Sequence, residues 1–507
     1  MAPLAQPARE TAPSRIHHAP DKGLRSGALG FLSSLVIAVS STAPAYSLAA
    51  TLGLVVAISG VRTPGMLVFA FLPMLCIAVA FRELNKVEPD CGTTFAWATR
   101  AFGPRTGWLG GWGIIAADVI VMASLAQVMG RYALLLVGAP GLAGQTLPVA
   151  AIGVLFIAVM TWVCYRGIEV SARLQQVLLA IEILGLIVLV VVAVAKTASG
   201  HAMTGHASLS LSWLDPWPGS FTGLSDSFLL AVFIYWGWDA ALSVNEETRD
   251  SARTPGRAAT TSTLVLVAVF ALVCTAALAY AGPAFLSANS GDVLAALAGQ
   301  LLGTTGGKLL VLCVLTSTAA STQTTIMPTA RAVLSMAAHG AIPARFAAVH
   351  PRFRTPGFAT VAMGVVSAAF YVLLTASSAN VLADAASATG LLIAFYYGLT
   401  GLACVWLLRH EARGGAKALW TKTIVPGLGA VALLGAFAWS IKSYLPASSS
   451  YSSAFGLGGV FLIGAGALLL GALLLALAAS RRGPFFTRTR AQVGTLAQDM
   501  LEGRDQA

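Results

Sequence analysis

The sequence predicts an all-α polytopic membrane protein of about twelve transmembrane helices, built as two inverted five-span halves followed by two peripheral spans. Three observations carry this. Of 507 residues, 57% are hydrophobic and only 10% charged, and the mean hydropathy is +0.79. A soluble surface of this size needs far more charge. Apolar stretches long enough to cross a ~30 Å hydrocarbon core recur along nearly the whole chain. The first and sixth of these stretches are interrupted near their centres.

Taken in order, the apolar stretches are Leu29–Ile58, Met66–Phe81, Trp108–Leu136, Leu147–Cys164, Leu174–Ala195, Leu224–Val244, Thr261–Ala281, Leu309–Met336, Ala359–Thr375, Ala385–Leu408, Ile424–Ile441 and Leu457–Ala479. Each must be helical, because lipid offers no partner for a bare backbone amide. The second and ninth are short as drawn. The core is expected over 28–409, with halves at 28–197 and 222–409, and the peripheral spans over 410–480. The segments 1–27 and 481–507 read as disordered cytoplasmic tails; the first has no apolar centre and is no signal peptide.

The net charge of +11 is topological. All but five of the 31 Lys and Arg residues fall on the face that carries both termini; the exceptions are Arg62, Arg131, Lys196, Lys308 and Lys442. The positive-inside rule assigns that face to the cytoplasm, and the plasma membrane is the expected location. A basic surplus so distributed argues against nucleic-acid binding. The six cysteines show no paired spacing, so neither a disulfide framework nor a metal site is expected.

The first span reads IAVSSTAPAYSLAATLGLVV (37–56). Its centre, Ser40-Ser41-Thr42-Ala43-Pro44, sits where an ordinary spanning helix wants Leu and Val. The sixth span reads LLAVFIYWGWDAALSVNEET (229–248), with Tyr235, Trp236, Gly237, Trp238 and Asp239 at its centre. Five spans separate the two, so the second half begins from the opposite face. Paired interruptions in inverted halves point to a small-solute site at mid-membrane. Unwound backbone at that depth persists only where it faces a polar cavity or a ligand. Pro44 suits the first position of a new half-helix, with Ser41 or Thr42 as its cap. The amides of Ala45 and Tyr46 would then form an anion trap at a helix N-terminus. The carbonyl end of the outer half of span 6, Phe233 to Tyr235, would attract an amine. Together they describe a site for an α-amino acid. Small polar residues and Pro in span 1 also fit a packing contact or a kink.

Three blocks then carry a family resemblance. They are EPDCGTTFAWATRAFGPRTGWLGGW (88–112), with Pro89, Gly92, Trp97, Gly103, Gly107 and Trp112; WGWDAALSVNEETRDSARTPGRA (236–258), with Glu247, Arg253, Pro255 and Arg257; and TARAVLSMAAHGAIPARFAAVHPRFRTP (329–356), with Arg331, Gly340, Pro343 and Pro356. With the broken first span, the chain resembles the amino acid–polyamine–organocation (APC) permeases over nearly its full length. The resemblance implies ten core spans as two intertwined inverted repeats, the LeuT-like fold, and secondary transport of amino acids or related amines by alternating access. It implies that Ser41, Thr42 and Ala43 occupy the substrate-binding break, that Phe233 is an aromatic lid, and that Trp236, Gly237 and Trp238 line the second break. Asp239 resembles the acid that follows it. Ser-Thr-Ala-Pro is bulkier than the family's usual Gly-Ser-Gly-like wording.

Asp118 in span 3, Glu182 in span 5 and Asp239 in span 6 are ionisable near mid-depth, and no Lys, Arg or His lies at comparable depth. Such residues usually face a pathway, and a cationic substrate, a proton or a sodium ion could each partner them. Asp118 suits the second amine of arginine, lysine or putrescine, or a hydrogen bond between helices. Glu182 lies where some relatives carry a lysine that takes part in proton coupling; here the sign is reversed, and Glu182 is the proton-coupling candidate. Asp239 is expected to cap the inner half of span 6, or to couple directly. Ser321 and Thr322, with Thr325, offer hydroxyls for sodium, a secondary reading. Glu247, with Asn245 and Glu246, ends span 6 as a gate network or as a plain solvated helix end.

No nucleotide-binding loop and no nucleophile–base constellation is present, which argues against ATP drive and against an enzyme. No cofactor is expected beyond a coupling ion, H+ ahead of Na+. A cationic amino acid or polyamine leads as substrate, with a neutral amino acid next; a transporter-like sensor would carry the same site.

Overall fold

The computed structural model describes residues 21–377, 381–481 and 483–487. Most of the two expected tails therefore lies outside the described residues. Ten helical stretches are long and apolar enough to cross a membrane. The first, Phe31–Val87, holds two crossings, and the broken sixth span adds one more. The protein is all-α and polytopic, as the sequence predicts.

Span 1 consists of α1 (Phe31–Thr42) and α2 (Pro44–Ser59), and span 2 is α3 (Thr63–Val87). After the short α4 (Thr94–Phe102) come α5 (Pro104–Leu136), α6 (Thr146–Tyr165) and α7 (Ile168–Ala198). Span 6 is α8 (Phe221–Ile234) and the single turn α9 (Ala240–Ser243). The remaining spans are α10 (Thr254–Ala288), α11 (Val293–Ala338), α12 (Gly357–Ser377), α13 (Val381–Leu407), α14 (Val425–Ser443) and α15 (Gly459–Ser480). The two spans drawn short on hydropathy are 25 and 21 residues long; the first runs on through the polar stretch 82–87, which an apolar window leaves out, and the second gains two residues at each end. A small hairpin, β1 (Ser453–Ala454) with β2 (Leu457–Gly458), links α14 to α15.

The breaks have local causes. Pro44 opens α2, where its missing N–H is no loss. Ala43 before it is left-handed, at φ 48° and ψ 65°, a conformation that costs a non-glycine residue roughly 1–2 kcal/mol. It is held by Ala43 N–H donating to the Ser40 carbonyl at 3.1 Å and Ser47 N–H donating to the Ala43 carbonyl at 2.8 Å. In span 6 the helix stops at Ile234 and resumes at Ala240. Gly237 sits between them at φ 118°, and a Cβ there would lie 2.6 Å from the Ser41 carbonyl oxygen. Only glycine meets both demands. The two breaks are thus in backbone contact with one another.

Around them, α11 packs on α5 and α7, α10 on α3, and α13 on α5, while α1 and α2 lie against α10 and α11. The last two spans are peripheral: α14 rests on α13 and α3, and α15 on α13 and α5. The chain ahead of α1 is pinned beneath span 6, with Leu29 N–H donating to Glu247 O at 3.0 Å and Arg249 N–H donating to Leu29 O at 2.8 Å. Lys22 and Leu24 are buried there.

Candidate functional site

A narrow cavity opens where the breaks meet, lined by Ser41, Trp236 and Gly237 from the breaks, Asp118 from α5, Asp239 just ahead of α9 and Ser243 at its end, Thr324 and Thr325 from α11, and Tyr396 from α13. At about 20 Å³ it has room for a single water. Admitting a solute therefore requires the surrounding helices to separate. Among the described residues, no Lys, Arg or His lines it.

Both carboxylates on this cavity are held by hydroxyls. Asp118 accepts from Thr329 of α11. Asp239 accepts from Tyr397 at 2.9 Å and from Tyr396 at 3.3 Å, and Tyr396 in turn accepts from the Trp236 indole N–H. Asp239 was expected to cap the inner half of span 6. Its side chain makes no capping bond; the tyrosine pair captures it, because two phenol donors on α13 face it. Tyr396 and Tyr397 were not singled out in the sequence, although two adjacent tyrosines within an apolar span are a visible signal.

The anion trap is occupied by the protein itself. Ala45 N–H donates to Glu182 Oε1 at 2.8 Å, and Tyr46 N–H donates to Ser317 Oγ at 3.1 Å. The Ser317 hydroxyl lies beside the same carboxylate. Glu182 is fully buried, and its Oε2 has no hydrogen-bond partner among the described residues. The other trap is open: among the described residues, the carbonyls of Ile234, Tyr235 and Trp236 at the end of α8 accept no hydrogen bond.

The remaining expected residues divide. Thr42 donates to Ala38 O within α1. Ser321 donates to Ser41 O at 3.2 Å, bridging α11 to the first break, while Thr322 turns back onto Thr318 O of its own helix. Phe233 is buried but does not line the cavity. Tyr235 packs between Phe71 and Phe270, and Trp238 between Phe81 and Tyr397. Tyr235 and Trp238 thus face neighbouring helices, the unwound segment between Ile234 and Ala240 turning Trp236, Gly237 and Asp239 toward the cavity instead, while Phe233 lies within α8 ahead of the break.

On the basic face, Glu247 forms a buried two-point pair with Arg331, through Nε and through NH2 at 2.9 Å. Beside it, Lys22 reaches Asp90 at 2.9 Å and also Glu246. Burial alone would lower the Lys22 ammonium, but Asp90 and Glu246 raise it well above the ordinary lysine range. Burial alone would raise Asp90; Lys22, His339, Ser335 and the Gly92 amide together hold it well below the ordinary carboxylate range.

With this geometry in place, comparison with known proteins is decisive. Residues 29–471 match the family model described as amino acid permease. The chain belongs to the amino acid permease family. It is a transporter and not an enzyme, and it is a multi-pass membrane protein. This permease is 28% identical to an uncharacterised transporter of Mycobacterium tuberculosis over 76% of its own length and 81% of the relative's. It is 22% identical to a branched-chain amino acid permease of Lactococcus lactis, over 39% of this permease and 44% of the relative. It is also 22% identical to an arginine/ornithine antiporter of Latilactobacillus sakei, over 69% and 73%.

Proposed function

We propose that this permease carries a cationic amino acid or amine across the cell membrane by alternating access, with both termini in the cytoplasm and a proton as coupling ion. One observation carries the substrate reading: Asp118 and Asp239 face a single cavity that, among the described residues, no basic side chain lines. Two carboxylates at mid-membrane call for a cation, and the permeant molecule is the one that can supply it. The open carbonyls of Ile234, Tyr235 and Trp236 add a helix C-terminal end suited to an ammonium. The name of the arginine/ornithine antiporter accords with this. That of the branched-chain amino acid permease favours a neutral amino acid as the second reading.

Glu182 is the coupling group in this proposal. Its ionised form is stabilised by the N-terminus of α2, and protonation at the unpartnered Oε2 would weaken that hold on the hinge. Sodium is the second choice of coupling ion; Ser321 and Thr322 donate their protons to the Ser41 and Thr318 carbonyls, and their oxygen lone pairs would serve it. The pairs Glu247–Arg331 and Lys22–Asp90–Glu246 would close the cytoplasmic side until the bundle rocks. The excess of Lys and Arg on that face supports its cytoplasmic placement.

The test is uptake into proteoliposomes of a labelled basic amino acid or diamine, with competition by the twenty amino acids and putrescine under imposed pH and sodium gradients. Accumulation of a cationic substrate driven by the pH gradient is the expected result. Saturable binding without flux would favour a sensor, and preference for leucine over every cation would favour the second reading.

A further inference from the structure

A carrier of α-amino acids must hold two opposite charges, and this site has kept the place for only one. The backbone accounting at the first break is complete. The Ala43 N–H is spent on Ser40 O and the Ser47 N–H on Ala43 O. Pro44 has no N–H to offer. Ala45 N–H is bound by Glu182, and Tyr46 N–H by Ser317. Every amide between Ala43 and Ser47 is therefore satisfied from within the chain, and the positive end of α2 already has a carboxylate on it. That carboxylate comes from α7, across a helix interface, and is fully buried.

A second carboxylate arriving with a substrate would meet no donor in this stretch. It would instead face the carboxyl groups of Glu182 at the hinge and of Asp118 and Asp239 around the cavity, whose ionised forms would repel it in a medium of low dielectric. At the second break the situation is reversed. Among the described residues, the carbonyls of Ile234, Tyr235 and Trp236 stand free for N–H donors, and the carboxyl groups of Asp118 and Asp239 line the cavity. The site is thus built for ammonium at both ends and for carboxylate at neither.

Building on the cationic reading above, we infer that the substrate is an amine without a carboxylate, a diamine or other decarboxylated counterpart of a basic amino acid, and that Glu182 supplies as a fixed part of the protein the anion that an amino acid would bring. Glu182 is then a residue that determines specificity as well as one that titrates. Both roles follow from its bond to Ala45: while that bond stands, the seat is taken.

The experiment uses the full chain in proteoliposomes and compares matched pairs: cadaverine with lysine, agmatine with arginine, putrescine with ornithine. Each compound competes against labelled cadaverine, and lysine methyl ester is included to mask the carboxylate without shortening the molecule. The wild-type protein is expected to prefer the amine of each pair by at least about tenfold in half-inhibitory concentration, the consequence of one unpaired buried charge. The methyl ester should behave like the amine. In Glu182→Ala the seat is vacated, and the ratio should move toward the amino acid. Lysine matching or exceeding cadaverine in the wild type would overturn the inference, and so would a methyl ester as weak as lysine, since discrimination would then be steric. If Glu182→Ala does not fold, the wild-type ratios decide alone. Ligand-dependent thermal stabilisation, read on the same pairs, separates the two levels of argument. An amine preference in binding without flux would sink the transport reading and leave the inference standing, whereas flux with no amine preference would do the reverse.

Discussion

Glu247 on the basic end of span 6 and Arg331 on α11 clasp each other through two parallel hydrogen bonds, both partners shut off from solvent. Removing one partner leaves the other charged and buried. Glu247→Ala is expected to cost about 3–5 kcal/mol, seen as a large loss of thermal stability in detergent. Replacing both residues with Leu or Met should recover most of that loss while abolishing transport. A double variant that transports normally would show the pair to be packing and no gate.

Lys22 closes a second contact on the same face, between Asp90 and Glu246. Asp90 is depressed, so its contribution is present above the ordinary carboxylate pKa of about 3.9 and is lost as pH falls through the lower folded value. Lys22 is raised, so its contribution is present below about 10.4 and is lost only as pH rises through the higher folded value. Neither Lys22 nor Asp90 therefore changes charge in the physiological range, and any pH dependence of uptake should survive Lys22→Met. That variant should also expose Cys91, fully buried beside the contact, to a maleimide added from the cytoplasmic side. Unchanged Cys91 labelling would argue that the contact is not a latch.

Asp118 shares the cavity with Asp239 and is tied to Thr329. Asp118→Asn should weaken uptake of dibasic compounds by at least about tenfold, near 1.4 kcal/mol, with little effect on any monoamine. Competition curves check this, and an equal loss for all substrates would remove Asp118 from substrate recognition.

Glu182→Gln keeps an acceptor for the Ala45 amide and removes the titratable charge. Uptake by this variant should lose its response to an imposed pH gradient while exchange across the membrane persists. A full response to pH would clear Glu182 of the coupling role.

Gly237 sits at φ 118° with Ser41 O in the space where a Cβ would go. Gly237→Ala should strain the break by roughly 1–3 kcal/mol and push spans 1 and 6 apart. Transport should fall severely even where the folded protein is recovered, as measured by uptake per unit of monodisperse protein. Normal transport would mean that the two breaks need not touch.

Much of this molecule was legible in one dimension. Hydropathy depends on composition along a segment, so the all-α, membrane-spanning architecture could be read directly. The breaks were also legible, because Pro44 and Gly237 act on their own backbone. Legibility failed where a group's role is set by what another helix brings to it. Asp239 read as a local cap, yet Tyr396 and Tyr397, more than 150 positions away, take its carboxylate. Phe233, Tyr235 and Trp238 read as site residues, but none of them lines the cavity, because the path of the backbone through the break decides which side chains face it.

The sharpest case is the α2 N-terminus. By itself the sequence determined that such an end exists at mid-membrane and attracts an anion, since helix polarity is a property of the local chain. Only the tertiary structure decided which anion. Packing α7 and α11 against span 1 sets Glu182 and Ser317 on the Ala45 and Tyr46 amides, and a hydrogen bond depends on separation in space, which no spacing along the chain specifies.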